Sequence, residues 1–588
     1  MDSTQLKPKT AHVNLMVDTV IANLPEDGLR SVMRSLLTTD PSITSKFEAH
    51  VREYLHNKAD QPIITDLFIV DDKPLNINSR DPRKGEHNQT DPSQNDQERW
   101  GSSYDTVKCK PGPELYRLQQ YIRCSIGCGM CYQSIPFARR IVDGVSSSIG
   151  PSVSRNVDLV HCLESFDGDM LQMVTAIQKT LLGPSGKREL DGTEKVLVQG
   201  LLDALQRCKI ALEQGFPFER SLGAVSVALG QRDTGFGSGL DEVRSGKDAS
   251  SDTSKGVMLS ETFELNGIVL PRLFSGLWQL SSPAWGTAPF DAMNTHFTHY
   301  ISKGLLAWDM ADHYADSELI FGRLRNAHAK RQSIFGATKY CVFNHPVTIT
   351  AEVISAAITE RCTRLDTRTL DLLQFHWQSY ADPQYISVLQ FLHANSRVAM
   401  LGLCNFDTLH LEQVLSHNIP IATNQVQFSL IDARPELKMG AVCAKYNIKL
   451  LTYGTLCGGF LADKWLDRSE PEAFSQGMTP SQRKYLEMIK TWGDWALFQR
   501  LLRELKNIAM KRGVSVANVA TRWVLDHAYV GAVIVGARLG VSEHVEDNLA
   551  SCGWELDADD RGRIESVLEL SRRRDMLEIM GDCGAEYR

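Results

Sequence analysis

The sequence contains no run of about 18 consecutive apolar residues, so no membrane-spanning helix is expected, and its opening MDSTQLKPKT lacks the apolar stretch of a secretory leader. It also lacks an excess of positive charge. With 71 acidic against 63 basic residues the net charge is -8, so a polyanionic partner such as nucleic acid is not favoured. Disulfide scaffolding is absent as a pattern: the 13 cysteines are odd in number and scattered through 588 residues, which points to a reducing, cytoplasmic setting. No GxGxxG joins an early strand to a helix, which weakens a doubly wound dinucleotide fold. What is present is a composition 43% hydrophobic over a long chain, sufficient for about two or three packed domains.

The main boundary is the Gly- and Ser-rich stretch from Gly230 to Gly256, too polar to pack. It divides the chain into a mostly helical region over 1–229, a flexible linker over 230–257, a second globular part over 258–575 and a tail over 576–588. Within the first region, Asp40 and Pro41 read as the cap and first position of a helix carrying Phe47, Val51 and Leu55. Core-facing stripes are expected at Leu29, Val32, Met33, Leu36 and Leu37, at Met170, Met173, Val174, Ile177 and Leu181, and at Leu197, Leu201, Leu202 and Leu205. Between Asp71 and Pro113 the chain is so poor in apolar residues that a long mobile loop is expected. The run CSIGCGMC places Cys124, Cys128 and Cys131 at a spacing used by radical enzymes for iron–sulfur clusters, and Cys109 would allow zinc instead. The helical, apolar flanks favour buried, unliganded thiols, and no metal is expected.

After Gly256 short strand-like runs alternate with amphipathic stretches. Strands are expected over 305–308, 333–337, 370–375, 399–403, 422–425, 449–452 and 532–535, with helices over 351–361, 385–394, 409–415 and 435–445. Such alternation implies parallel strands with right-handed crossovers, and the length suits a (β/α)8 TIM barrel. The fold class expected is therefore α/β: a C-terminal (β/α)8 barrel preceded by a mostly α-helical region.

In a barrel, function gathers where strands end. Asp309 and Tyr314 follow the first expected strand, Lys339 the second and His376 the third. A phenol, an ammonium, a carboxylate and an imidazole fit carbonyl reduction by hydride. The oxygen that gains negative charge needs a proton donor, Tyr314, whose pKa a neighbouring Lys339 would lower. Asp309 would hold Lys339 charged, and His376 would orient the carbonyl. Trp278, Trp285 and Trp377 are candidates for an apolar substrate pocket, equally readable as barrel packing.

These stretches resemble the aldo-keto reductases in order and spacing: GLWQL at Trp278, DMADHYADSELIFG from Asp309, GATKY at Lys339, LLQFHW at His376, LGLCNF at Asn405, NQVQFSL from Asn424, YGTLCGGFL from Tyr453 and IVGARLGVSEHVEDNL from Ile534. The resemblance spans about residues 260–570 and, through YGTLCGGFL, KWL and WGDWALFQ, is similar to a poorly characterised branch of the family. It implies that Asp309, Tyr314, Lys339 and His376 form a catalytic tetrad. It implies that Cys404, Asn405 and Gln425 meet the nicotinamide carboxamide, that Tyr453 stacks on the ring, and that Gly454, Thr455, Leu456 and Gly458 pass the pyrophosphate. Gly536, Arg538, His544, Asp547 and Asn548 are implied to hold the adenosine end. Cys404 stands where the family carries serine, Gly454-Thr455 where it carries Ser-Pro, and Arg538, Leu539 and His544 where it carries lysine, serine and arginine. Arg538 favours NADPH, with NADH as the alternative, because a guanidinium pairs well with phosphate. The activity implied is reduction of an aldehyde or ketone, or the reverse oxidation, on a small-molecule substrate. A second reading is a nicotinamide-sensing regulatory or scaffold protein, with a protein partner on the N-terminal helices.

Overall fold

The structure, a computed structural model, describes residues 26–39, 43–59, 66–71, 108–149, 154–155, 157–183, 186–212, 215–231, 261–281, 288–342, 348–473 and 478–588. The described residues fall into two compact units: Val51–Ser251 with Leu280–Phe290, and Met1–His50 with Asp252–Gln279 and Asp291–Arg588. The expected linker over 230–257 lies almost wholly outside the described residues, as do most of the polar stretch after Asp71, the cap at Asp40 and Pro41, and Trp285.

The first unit is helical. Pro113–Gly127, Cys131–Ser148, Val157–Leu181, Gly192–Leu212 and Glu219–Ala228 surround one apolar core. Both predicted stripes of this unit face it: Met170, Met173, Val174, Ile177 and Leu181 are buried on one helix, Leu201, Leu202 and Leu205 on another, with Leu197 packed at the edge. Burying a Leu or Met side chain contributes about 1.5–3 kcal/mol, so such stripes decide where helices dock. The stripe expected to face a core on Glu26–Thr39 differs. Val32, Met33 and Leu36 are exposed there, because periodicity determines which side chains share a face without supplying a partner for it.

The cysteine run forms a turn between two helices. Cys124 is exposed near the end of Pro113–Gly127, Cys128 follows that helix with its N–H on the Cys124 carbonyl at 3.0 Å, and Cys131 opens the next helix inside the core. Among the described residues, the His, Cys, Asp and Glu groups compact enough to hold a metal ion are Asp312–His313–Cys341 and Asp557–Asp559–Asp560, not this trio.

The second unit contains a closed barrel of eight parallel strands: β1 (Leu273–Gly276), β2 (Ala307–Asp309), β3 (Phe335–Val342), β4 (Leu372–Trp377), β5 (Leu401–Cys404), β6 (Thr423–Gln427), β7 (Lys449–Tyr453) and β8 (Val530–Gly536). The expected strands correspond to β2 through β8. β1, four residues long, was not expected as a strand. Two strand ends also differ: β3 continues to Val342 and β4 to Trp377, so Lys339 sits inside its strand rather than at its end. A hairpin, Thr262–Leu265 with Ile268–Pro271, brings Leu265 and Leu270 against the inward Phe274, Ala307, Phe335, Ala337, Leu372, Leu451 and Ala532.

Strand side chains alternate between faces, so two residues beyond this apolar layer the inward positions become Asp309, Lys339, Gln374 and Tyr453, and two further on β4 comes His376. Register brings them level. Ala337 pairs with Asp309, Lys339 with Gln374, Cys341 with His376, His376 with Cys404, and Cys404 with Gln425. Inside β5, Gly402 leaves the room Gln374 uses: a Cβ there would lie 2.3 Å from Thr423 Oγ1 and 3.3 Å from Gln374 Cγ.

Candidate active site

The polar layer centres on a buried ion pair. Lys339 Nζ donates to Asp309 Oδ2 at 2.6 Å and to the Met310 carbonyl at 2.9 Å, and both side chains are buried. Asp309 Oδ1 accepts from Gln374 Nε2 at 2.9 Å and Gln425 Nε2 at 2.7 Å, and the two amides are joined at 2.9 Å. A carboxylate removed from water keeps its charge only when its lone pairs are filled, and here three donors fill them. Burial opposes the Lys339 charge, yet Asp309 outweighs it and holds the lysine pKa above its ordinary value.

Tyr314 lies in the loop after β2, with Lys339 Nζ 4.8 Å from its ring centroid. The sequence led us to expect a lowered phenol pKa. Desolvation instead raises it: Lys339 acts in the expected direction, but Asp309 cancels part of that effect and the surrounding protein outweighs the rest. Tyr314 is therefore firmly protonated, the state of a proton donor. The loop is held by two arginines of the helix Ala351–Arg364. Arg361 pairs with Asp312 and donates to the Lys339 carbonyl at 2.9 Å, while Arg364 pairs with Glu318 at 2.7 Å and donates to the Ala315 carbonyl at 2.6 Å. Although burial opposes it, Arg361 keeps the Asp312 carboxyl well below its usual range.

His376 is buried, and burial pushes its pKa down to about 4. Its Nδ1 stands 3.1 Å from the Cys404 carbonyl. A carbonyl only accepts, so Nδ1 carries the hydrogen and Nε2 the lone pair of the neutral ring.

Asn405 follows β5 in the left-handed region, at φ +58°, which an asparagine tolerates better than most residues. Its Oδ1 accepts from the Tyr453 hydroxyl at 2.9 Å and its Nδ2 lies 3.6 Å from Cys404 Sγ. Gln425, expected beside a carboxamide, is turned instead toward Asp309. Beyond β7, Gly454 has φ +72° and Gly458 +64°; a Cβ on Gly454 would lie 2.2 Å from the Tyr485 hydroxyl. Thr455 Oγ1 donates to the Phe428 carbonyl at 3.1 Å, and Leu456 precedes the turn Cys457–Gly459. At the end of β8, Gly536 is exposed, Arg538 half-buried, and His544 precedes the short helix Val545–Leu549 that carries Asp547 and Asn548. Gln279 Oε1 is buried and unpartnered among the described residues, 2.7 Å from where a Gly536 Cβ would stand; Ser542 Oγ is likewise unpartnered. Trp278 is 44% exposed in the turn after β1. Trp377 is sealed in the protein, its indole N–H on the Ser379 carbonyl at 2.7 Å, so it packs the barrel rather than walling an open pocket.

The sequence of the Aldo/keto reductase family matches residues 272–569. This chain belongs to that family. Among its relatives, a chloroplastic pyridoxal reductase of Arabidopsis thaliana is 26% identical over 49% of this chain and 80% of its own length. An aldo-keto reductase of Bacillus subtilis is 25% identical over 52% of this chain and 91% of its own. A solved glycerol dehydrogenase from Gluconobacter oxydans is 25% identical, with a TM-score of 0.45, covering 53% of this chain and 96% of that one. As an aldo/keto reductase, the chain adds residues that sequence reading missed: Gln374, which shares the inward face of β4 with His376 and was legible as i, i+2; Arg361 and Arg364, which only the packing of a helix onto the β2 loop reveals; and Tyr587 and Arg588. The Tyr587 hydroxyl lies 3.1 Å from that of Tyr453, and Arg588 Nη2 donates to the Asn405 carbonyl at 2.7 Å.

Proposed function

We propose that the protein reduces an aldehyde or ketone with NADPH, or oxidises the corresponding alcohol, and that the chemistry resides in the barrel over 258–575 with the N-terminal helices as a separate domain. The observation that carries this is the buried Asp309–Lys339 pair with a protonated phenol, Tyr314, against it and a neutral imidazole, His376, on the neighbouring strand. When bound, nicotinamide supplies or accepts the hydride. Tyr314 donates the proton to the carbonyl oxygen, Lys339 favours the phenolate left behind, and Asp309 keeps Lys339 charged and in place. With its Nδ1 hydrogen on the Cys404 carbonyl, His376 has only an accepting Nε2, so it orients the hydroxyl of the alcohol, product of the reduction or substrate of the oxidation, rather than donating to the carbonyl oxygen.

The residues present fit the cofactor. Asn405 offers an amide able to donate and accept and Tyr453 an aromatic face. The unpartnered Gln279 Oε1 and Ser542 Oγ beside Gly536 and Arg538 are polar atoms awaiting a ligand. Arg538 suits a 2′-phosphate, which favours NADPH over NADH, and a relative from Schizosaccharomyces pombe carries NADP(+) in its name. The carbonyl chemistry in the names pyridoxal reductase and glyoxal reductase supports the same substrate class.

The test is NADPH oxidation with a panel of aldehydes and ketones, preceded by titration with NADPH and NADH. Tyr314→Phe is expected to lower turnover by about 10²–10⁴-fold with cofactor binding retained. Cofactor binding without turnover on any carbonyl would favour the sensor reading.

A further inference from the structure

The residues assigned above to the nicotinamide end are covered by one short segment, Gly581 to Arg588. Gly584, at φ +78°, presses on Asn405 so closely that a Cβ would stand 2.1 Å from the Asn405 carbonyl oxygen. The same oxygen accepts from Arg588, whose guanidinium also donates to the Tyr380 hydroxyl at 2.5 Å and lies 3.9 Å above that ring. The Tyr587 hydroxyl continues a chain through the Tyr453 hydroxyl to Asn405 Oδ1. Its ring meets His376 edge-on at 5.6 Å. The segment is anchored away from these contacts. Glu586 pairs at 3.1 and 3.2 Å with the buried Arg434, itself held by Asp432 at 2.8 and 2.9 Å, and Asp582 accepts from the Thr408 N–H at 3.1 Å and pairs with Lys438 at 3.2 Å.

We propose that residues 581–588 form a latch that competes with the nicotinamide end of the cofactor for Asn405 and Tyr453 and must lift before hydride transfer. The inference rests on the nicotinamide reading above. Asn405 Oδ1 is already engaged by the Tyr453 hydroxyl, and Tyr587 fixes that hydroxyl from its other side. A carboxamide therefore exchanges for contacts inside the protein rather than for water. Gly581 and Gly584, both at φ +78°, flank the anchored Asp582 and are the positions able to absorb the movement. Since apparent affinity falls by the fraction of molecules that are open, loosening the latch raises affinity for a ligand that carries nicotinamide and leaves unchanged one that lacks it.

Calorimetric titrations of the full chain with NADPH and with 2′,5′-ADP, which has only the adenosine half, test this. Two variants are compared with the wild type: Tyr587→Phe combined with Arg588→Ala, which removes the covering contacts, and Glu586→Gln, which weakens the anchor. The expected result is a Kd for NADPH lowered by about three- to tenfold in both, with that for 2′,5′-ADP unchanged. Hydrogen exchange over 581–588 is expected to quicken with NADPH and not with 2′,5′-ADP. An NADPH Kd that is unchanged or raised in both variants overturns the latch while leaving the reductase reading intact. Equal tightening of both ligands also overturns it. Failure of every form to bind either ligand overturns the latch and the cofactor reading together.

Discussion

At the scale of single residues, the site is governed by desolvation. Burial of His376 outweighs the Cys404 carbonyl and the Asp312 carboxylate, which act the other way, and lowers its pKa to about 4 against an unfolded value of about 6.5. The folded form thus takes up a proton less readily than the unfolded chain. Its contribution to stability is fully present above pH 6.5 and is lost as pH falls toward 4. Between pH 7 and pH 5 the expected loss from this residue is about 2 kcal/mol. Urea unfolding of the wild type at both pH values should exceed by that amount the pH dependence of His376→Asn; identical slopes would refute the assignment. Tyr314 shows the same force acting on a phenol. The order of Asp309, Tyr314, Lys339 and His376 was legible in the sequence, but the sign of the Tyr314 shift was not, since it depends on how much protein surrounds the ring relative to one ammonium.

At the scale of elements, the barrel was legible through seven of its strands because parallel strands buried on both faces read as apolar runs. β1 was not expected, although the Asn266-Gly267 turn of the hairpin before it, with φ of +50° and +82°, is a hairpin signal. The extent of β3 was misjudged at Lys339, since a charged residue reads as a strand end and only its Asp309 partner lets the strand continue through it. Gly402 is the element-level constraint that the polar layer imposes. Gly402→Ala is expected to cost about 1–3 kcal/mol by overpacking against Thr423. The Thr423 hydroxyl is buried without a partner among the described residues, so Thr423→Ala alone should be close to neutral and should restore much of the loss in the double variant. Thermal melting of the three proteins measures this, and additive losses would contradict the clash.

At the scale of the whole molecule, the cysteines report on both units at once. Twelve of the thirteen are buried and Cys124 is exposed; burial raises the thiol pKa of Cys131, and to about 12 for Cys404 and Cys457, which suppresses the reactive thiolate. A chromogenic disulfide reagent is expected to titrate about one thiol quickly in the native protein, absent in Cys124→Ser, and all thirteen in denaturant. Rapid reaction at Cys128 or Cys131 would show that the helices there are not packed as described. The sequence by itself determined the alternation of strands and helices, the apolar stripes of the N-terminal helices and the identity of the polar groups at the barrel mouth, because each of these is local and periodic. The tertiary structure alone decided that Gln425 faces Asp309, that two arginines brace the Tyr314 loop, that Val32, Met33 and Leu36 are exposed and that Tyr587 meets Tyr453. Those outcomes join residues distant along the chain, and their energies depend on which groups are brought together and how far water is excluded.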